Sequence, residues 1–296
     1  MSVGGPIEQP VPERTVSRGG LVARRFLGRR LAVAGLVVLG LLFLLAFAGP
    51  HLTPWDYTDK DYDAFLQGPS ADHWFGTTQT GGDVFALTMR GMQKSLVIGV
   101  LVALIATALA ALVGAFAGYF GGWTDRVLMW FVDLLLVVPA FLIVAIVSPT
   151  FRGSTWLVFV ILLAAFLWMV TARMVRGMTV SLRDREFVLA ARYMGVSGPR
   201  IVLRHILPSM SSLLVIDATI NVGAAIISET GLSYFGFGVQ PPDVSLGTVI
   251  ADGTSAAVSY PWLFAFPAGL LVLIILAVNL VGDGMRDALD PTSRAS

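Results

Sequence analysis

Residues 186–210 read EFVLAARYMGVSGPRIVLRHILPSM and lie between two long apolar runs. They carry Arg192, Arg200 and Arg204, with Gly195 near the middle and Pro208 near the end. Local rules predict two short helices joined by a tight turn. Asp184 is placed to N-cap a helix over Arg185–Met194, Glu186 puts negative charge in its first turn, and Gly195 stops it at C′. Ser197 caps the second helix, Pro199 is permitted in its first turn, and Pro208 marks the turn into the next apolar run. On the first helix Phe187, Ala190, Ala191 and Met194 fall at i, i+3, i+4 and i+7, one apolar stripe flanked by arginines. Such a unit suits a membrane-surface helix, a DNA-binding helix-turn-helix, or a docking element for another protein. Docking accounts for the most detail: adjacent alanines admit a close surface, Phe187 and Met194 fill a groove, and Gly195 fixes the exit of the second helix.

The surroundings are those of a membrane protein. Hydrophobic residues make up 56% of the 296 and charged residues 13%, well outside the balance of a soluble domain. Six stretches approach the roughly 20 apolar residues a spanning helix needs: Leu31–Ala48, Ser95–Tyr119, Val127–Ser148, Thr155–Ala172, Ser211–Ser233 and Pro261–Val281. Pro139 and Pro267 are expected to kink the third and sixth. With the N-terminus taken as cytoplasmic, 16 of the 20 Lys and Arg fall in inside segments, and only Lys60, Arg90, Lys94 and Arg152 fall outside. Both termini and the opening stretch are therefore expected inside, in an all-α integral membrane protein of six transmembrane helices. The expected layout is a basic tail over 1–30, a first span and external loop over 31–94, a transmembrane body over 95–290 that includes the loop 173–210, and a tail over 291–296. Residues 1–23 read as disordered, with Arg24, Arg25, Arg29 and Arg30 against the membrane. Ala46-Phe47-Ala48 resembles a signal cleavage site, but the 18-residue apolar run exceeds a signal h-region, which favours an uncleaved anchor.

Several chemistries are excluded. There is no Cys, hence no disulfide or thiolate site. The only lysines are Lys60, after Asp59, and Lys94, after Gln93, so no P-loop G-K-[ST] exists and the chain cannot hold nucleotide phosphates that way. No H-E-x-x-H or G-x-S-x-G occurs. No cofactor or metal is expected.

Ionisable residues inside spans are candidates for function. In the fifth span Asp217, Asn221, Ala224, Ala225 and Ser228 share one face, with Glu229 near the span's end. Asp217, Asn221, Ser228 and Glu229 are the candidate pathway residues, and tight helix packing accounts for the Asp217/Asn221 face equally well. Asp133 is expected to pair with Arg126, and Gly114, Gly118 and Gly122 to serve helix packing. Residues 234–260 are too apolar for simple solvation and are expected to fold back into the outer leaflet, to cover the mouth of a path through the helices, or to form an ordinary external loop.

"LAARYMG", followed nine residues later by "HILP", resembles the cytoplasmic signature loop of ABC-importer membrane subunits. Ala190, Ala191, Gly195, Leu207 and Pro208 match its pattern, while Leu189 and His205 depart from it. "DHWFGTTQTGGDVFALTMRGMQKSL", "SETGLSYFGFGVQPPDVSLG" and "GDGMRDALDP" are similar, in order, to segments of the second permease of dipeptide, oligopeptide and nickel importers. The resemblance implies a type I importer-like permease, half of a heterodimeric pore in a bacterial inner membrane. Its implied partners are a homologous permease, one or two ATPase subunits and an extracytoplasmic binding protein. It makes the opening stretch a coupling helix, with Glu186, Phe187, Ala190, Ala191, Met194, Gly195, Leu207 and Pro208 facing the ATPase. The competing class is a secondary transporter driven by an ion gradient, whose inverted repeats and broken helices are not evident in the sequence.

Overall fold

The computed structural model describes residues 18–151 and 156–289; the first 17 residues of the basic tail, Arg152 and the tail 291–296 lie outside them. Among the described residues the chain is all helical, apart from one isolated bridge between Thr77 and Asp83. Helix α1 (Arg18–Leu27) precedes α2 (Arg30–Ala48), so residues expected in a disordered tail up to 23 are helical from Arg18. Phe26 explains this: it is buried with Ala32 and Ala288, which docks α1 on the end of the last helix.

Four helices are each long and apolar enough to cross a bilayer: α2 with its 3-10 extension, α3 (Val84–Phe120), α11 (Ser211–Tyr234) and α13 (Trp262–Leu289). Two bent pairs bring the number to six if each is one span: α4 (Gly122–Val137) with α5 (Ala140–Val147), and α6 (Trp156–Leu167) with α7 (Met169–Leu182). The 77° bend of the first pair falls at Val138-Pro139, where proline removes a backbone donor. The 47° bend of the second falls at Trp168, whose indole N–H donates to the Ala165 carbonyl at 2.9 Å. Pro267 does not break α13, which continues through it. It lies near the helix start, and the Leu263 carbonyl that a residue there would normally engage packs against Gly253 instead.

Helix α3 is the central post, beginning at Val84 rather than Ser95. Asp83 caps it, its Oδ1 accepting from the Ala86 N–H at 2.7 Å. The charges that made this start look too polar are accommodated: Arg90 stacks over Tyr57, and Lys94 pairs with Asp243 at 2.7 Å while lying 4.5 Å above the Trp156 ring. Farther along, Ala103, Ala106, Ala110, Ala111, Ala115 and Ala117 are buried. Small residues let neighbouring backbones come close, which is how helices associate where lipid removes the hydrophobic incentive. A Cβ on Gly114 would lie 2.4 Å from the Ala172 carbonyl oxygen, and one on Gly118 2.7 Å from that of Arg176, so α3 and α7 touch backbone to backbone. Gly122, expected to serve packing in the same way, has nothing within 4 Å; its φ of +54° makes it a conformational glycine at the α3–α4 turn.

Gly114→Val is therefore expected to cost at least ~1–3 kcal/mol and to shift the detergent-solubilised chain toward aggregate. Gly177→Val, on α7 with nothing within 4 Å, serves as the control. Size-exclusion profiles and thermal denaturation check both; equal behaviour of the two variants would count against the close crossing.

Between α7 and α11 the chain forms α8 (Glu186–Tyr193), α9 (Gly198–Ile201), a π-helical turn over Val202–Ile206 and α10 (Leu207–Ser209). At the opposite end of the bundle α12 (Leu246–Thr254) folds back among α3, α11 and α13, so segment 234–260 is not a simple solvated loop.

Candidate functional site

The α8–α10 segment is held rigidly against its own bundle. Helix α8 ends in a full Schellman motif: the Val196 N–H reaches the Ala191 carbonyl at 3.1 Å, the Gly195 N–H reaches that of Arg192 at 3.0 Å, and Gly195 takes a φ of +78°. Asp184 is not the cap. Arg185 occupies that position without a side-chain bond, and Asp184 lies 3.6 Å from Arg183. Ser197 is the N-cap residue of α9, again by backbone position alone.

The expected stripe splits between two faces. Val188 and Ala191 turn inward, Ala191 being 1% exposed, and pack with Ala115, Val175, Ile201, Val202, Ile206 and Met210. Phe187 (42% exposed), Ala190 and Met194 (75% exposed) turn outward. Ala191 therefore anchors the helix and is unavailable to another protein, because α9 and the π-helical turn, themselves seated on α3, lie on its side. Leu207 also packs on this core, while Glu186, Gly195 and Pro208 are exposed.

In mid-span the structure gathers Asp217 and Asn221 with two hydroxyls. Asp217 Oδ1 accepts from Thr171 Oγ1 at 2.8 Å, and Oδ2 accepts from Thr107 Oγ1 at 3.0 Å and Asn221 Nδ2 at 2.9 Å. The half-buried carboxylate thus joins α11 to α3 and α7. Ser228 lies farther along α11 and is half-buried. Glu229 does not join this group. It is fully buried, with Oε2 accepting from Ser95 Oγ at 2.8 Å and Oε1 from Ser233 Oγ at 2.7 Å.

Those two serines extend the network into the returning segment. Ser95 Oγ accepts the Leu246 N–H at 3.1 Å, and Ser233 Oγ accepts the Val239 N–H at 3.1 Å. A capping box formed by Ser245 and Thr248 starts α12. One face of α12 forms, with Tyr57, Lys60 and Thr80 of the α2–α3 connection, the wall of a cleft of about 890 Å³. That connection is pinned by buried His73, whose Nδ1 lies 2.8 Å from Asp83 Oδ2 and whose Nε2 lies 3.3 Å from Asp61 Oδ2. The Asp63 N–H, then the His73 bond, hold the Asp61 carboxyl below the usual carboxylate range.

Asp133 pairs with Arg173 of α7, not with Arg126, which lies over the Trp123 ring instead. A second pair, bidentate, joins Arg176 to Asp125. Both arginines extend the fourth span past its expected end at Ala172. Thr107, Thr171, Ser95 and Ser233 were not singled out from the sequence; a lone hydroxyl in an apolar run is the signal that points to them.

Residues 110–295 match the model of the family described as binding-protein-dependent transport system inner membrane component, and residues 17–69 match that of the N-terminal TM domain of oligopeptide transport permease C. The chain is 60% identical over 280 residues to the oligopeptide transport system permease protein OppC of Mycobacterium tuberculosis, covering 94% of this chain and 96% of that one. It is 40% identical over 271 residues to a putative peptide permease protein of Brucella suis, covering 91% and 89%. Identity to OppC of Bacillus subtilis is 36% over 272 residues, covering 91% and 88%. With four to six apolar spans among its described residues, this chain is a multi-pass bacterial inner-membrane protein and belongs to the family of inner-membrane components of binding-protein-dependent transport systems.

Proposed function

We propose that this chain forms half of the membrane pore of an ATP-driven importer of di- or oligopeptides and is driven by a separate ATPase subunit. The observation that carries the coupling is the outward stripe of Phe187, Ala190 and Met194 on a helix whose other face is locked into the bundle. A rigid helix that presents apolar side chains on an exposed connection suits a groove on another protein. The excess of arginines in this connection and in the two terminal segments supports a cytoplasmic side for all three. The cleft beside α12 then opens to the exterior, where a binding protein delivers its cargo. The substrate class follows from the relatives named as oligopeptide and peptide permeases. Beyond a homologous permease, the partners are one or two ATPase subunits and the extracytoplasmic binding protein. On α11 the Asp217, Asn221 and Ser228 face borders the path, and Glu229 serves elsewhere.

The chain purified free of other proteins is expected neither to bind nor to hydrolyse ATP, since it has no lysine in a phosphate-binding loop. Reconstituted with its partners, it is expected to support peptide uptake that stops when ATP is withheld. ATP hydrolysis by the partner-free chain, or uptake driven by an ion gradient alone, would overturn the proposal.

A further inference from the structure

We infer that Glu229 is a positioning residue for the cleft: through Ser95 and Ser233 it fixes segment 238–247, and α12 with it, onto α3 and α11. The fixing is two-sided. On one side Glu229, Ser95 and the Leu246 N–H form a chain of bonds from α11 across α3 to the first residue of α12. On the other, Glu229, Ser233 and the Val239 N–H secure the start of the returning segment. A buried backbone N–H without a partner is costly, so these amides hold the segment only while the hydroxyls are oriented to accept from them. Glu229 supplies that orientation, because each serine directs its own hydrogen to a carboxyl oxygen and leaves a lone pair for the amide.

Backbone packing shows that the fit is close. A Cβ on Gly238 would lie 2.0 Å from Ser233 Oγ, one on Gly247 would lie 2.7 Å from both Ser233 Cβ and the Thr230 carbonyl, and one on Gly91 would lie 2.8 Å from the Ser245 carbonyl carbon. The Lys94–Asp243 pair adds a third tie between α3 and the same segment. Both helices run the length of the bundle: α3 carries Ala115 and α11 follows Met210, both in the core that holds α8. The wall of the cleft is therefore tied to helices that also contribute to the core beneath α8. A protein seated at the cleft acts on those helices through a mechanical path that depends on Glu229.

The inference rests on the transport reading for its functional arm only. The chain has no cysteine, so single cysteines report cleanly. Val249→Cys places a probe on the buried wall of α12, and Ala110→Cys places one in the core of α3 away from the segment. In the assembled complex, Glu229→Ala is expected to raise maleimide labelling of the Val249→Cys probe at least tenfold and to leave the Ala110→Cys probe unlabelled. Ser95→Ala, which deletes one hydroxyl, covers the case in which Glu229→Ala does not assemble. It is expected to raise labelling in the same way, with no further increase when combined with Glu229→Ala. In the Ser95→Ala complex, basal ATP hydrolysis is expected to stay unchanged while the binding-protein concentration for half-maximal stimulation rises about tenfold. Wild-type labelling of the Val249→Cys probe in both variants overturns the inference, as does labelling of both probes together or an unchanged half-maximal concentration. If the wild-type complex shows no peptide-stimulated hydrolysis, the transport reading fails, and the labelling still decides the role of Glu229.

Discussion

Ala190→Glu is expected to abolish co-purification of the ATPase subunit while leaving the chain folded and paired with its partner permease, whereas Ala191→Glu is expected to reduce the yield of the chain itself. The two positions are adjacent in sequence and differ only in the face they occupy. Ala190 is exposed beside Phe187 and Met194, so a partner seated on that stripe would have to enclose the new carboxylate. Burying an unpaired carboxylate costs several kcal/mol, and even ~2.8 kcal/mol weakens docking roughly 100-fold. Ala191 is packed against Ala115, Val175 and Ile201, so the same substitution there inserts the charge into the chain's own core. Affinity purification of the complex measures docking, and the monodispersity of the chain alone measures folding. Normal ATPase recovery with Ala190→Glu would remove the stripe from the interface and leave a membrane-surface helix as the better account. Gly195→Val is expected to act by a third route. A β-branched residue resists a φ of +78°, so it would open the Schellman turn and misdirect α9 without touching the stripe.

The contrast between Ala190 and Ala191 shows where sequence reasoning stops. Periodicity groups both alanines in one stripe, because neighbouring residues on a helix are only 100° apart. The choice of inward face is made by α9 and the π-helical turn folding back beneath α8, and by their seat on α3, tens of residues away. The spans themselves were legible, since each is a long apolar run that must satisfy its own backbone in lipid. The bend at Pro139 was legible too, because proline removes a donor. The bend at Trp168 was not, having no breaker residue, and the start of α3 was hidden by Arg90 and Lys94, which become tolerable only once Tyr57, Trp156 and Asp243 are beside them. Glu229 was legible as an oddity within an apolar helix. Its partner Ser233 lies one turn along the same helix, but its partner Ser95, and the Leu246 and Val239 amides held by the two serines, come from elements that no local pattern connects.

Asp217 raises the same problem in the site, and a pair of substitutions separates its two roles. Asp217→Leu leaves Thr107 and Thr171 without their acceptor at the junction of three helices, and leaves Asn221 only its 3.5 Å bond to Thr107. An orphaned buried donor costs about 1–3 kcal/mol in water-soluble proteins and about 0.6 kcal/mol or more within a membrane, so these losses together cost on the order of 2–5 kcal/mol. Assembly of the complex is expected to fall sharply. Asp217→Asn preserves size and leaves an oxygen for Thr171. The Thr107 hydroxyl rotates and the Asn221 amide turns over to accept from the new NH₂, so assembly is expected to stay near wild type. What this variant removes is the negative charge, and under the proposal that this face borders the path, a peptide's ammonium group would lose an attraction as it passes. A loss of ~1.4 kcal/mol corresponds to a tenfold slower step. Uptake by the Asp217→Asn complex is therefore expected to fall about tenfold at equal complex yield. Unchanged uptake would make Asp217 a joint between helices only, and a parallel fall in yield and uptake would show that the joint itself needs the carboxylate.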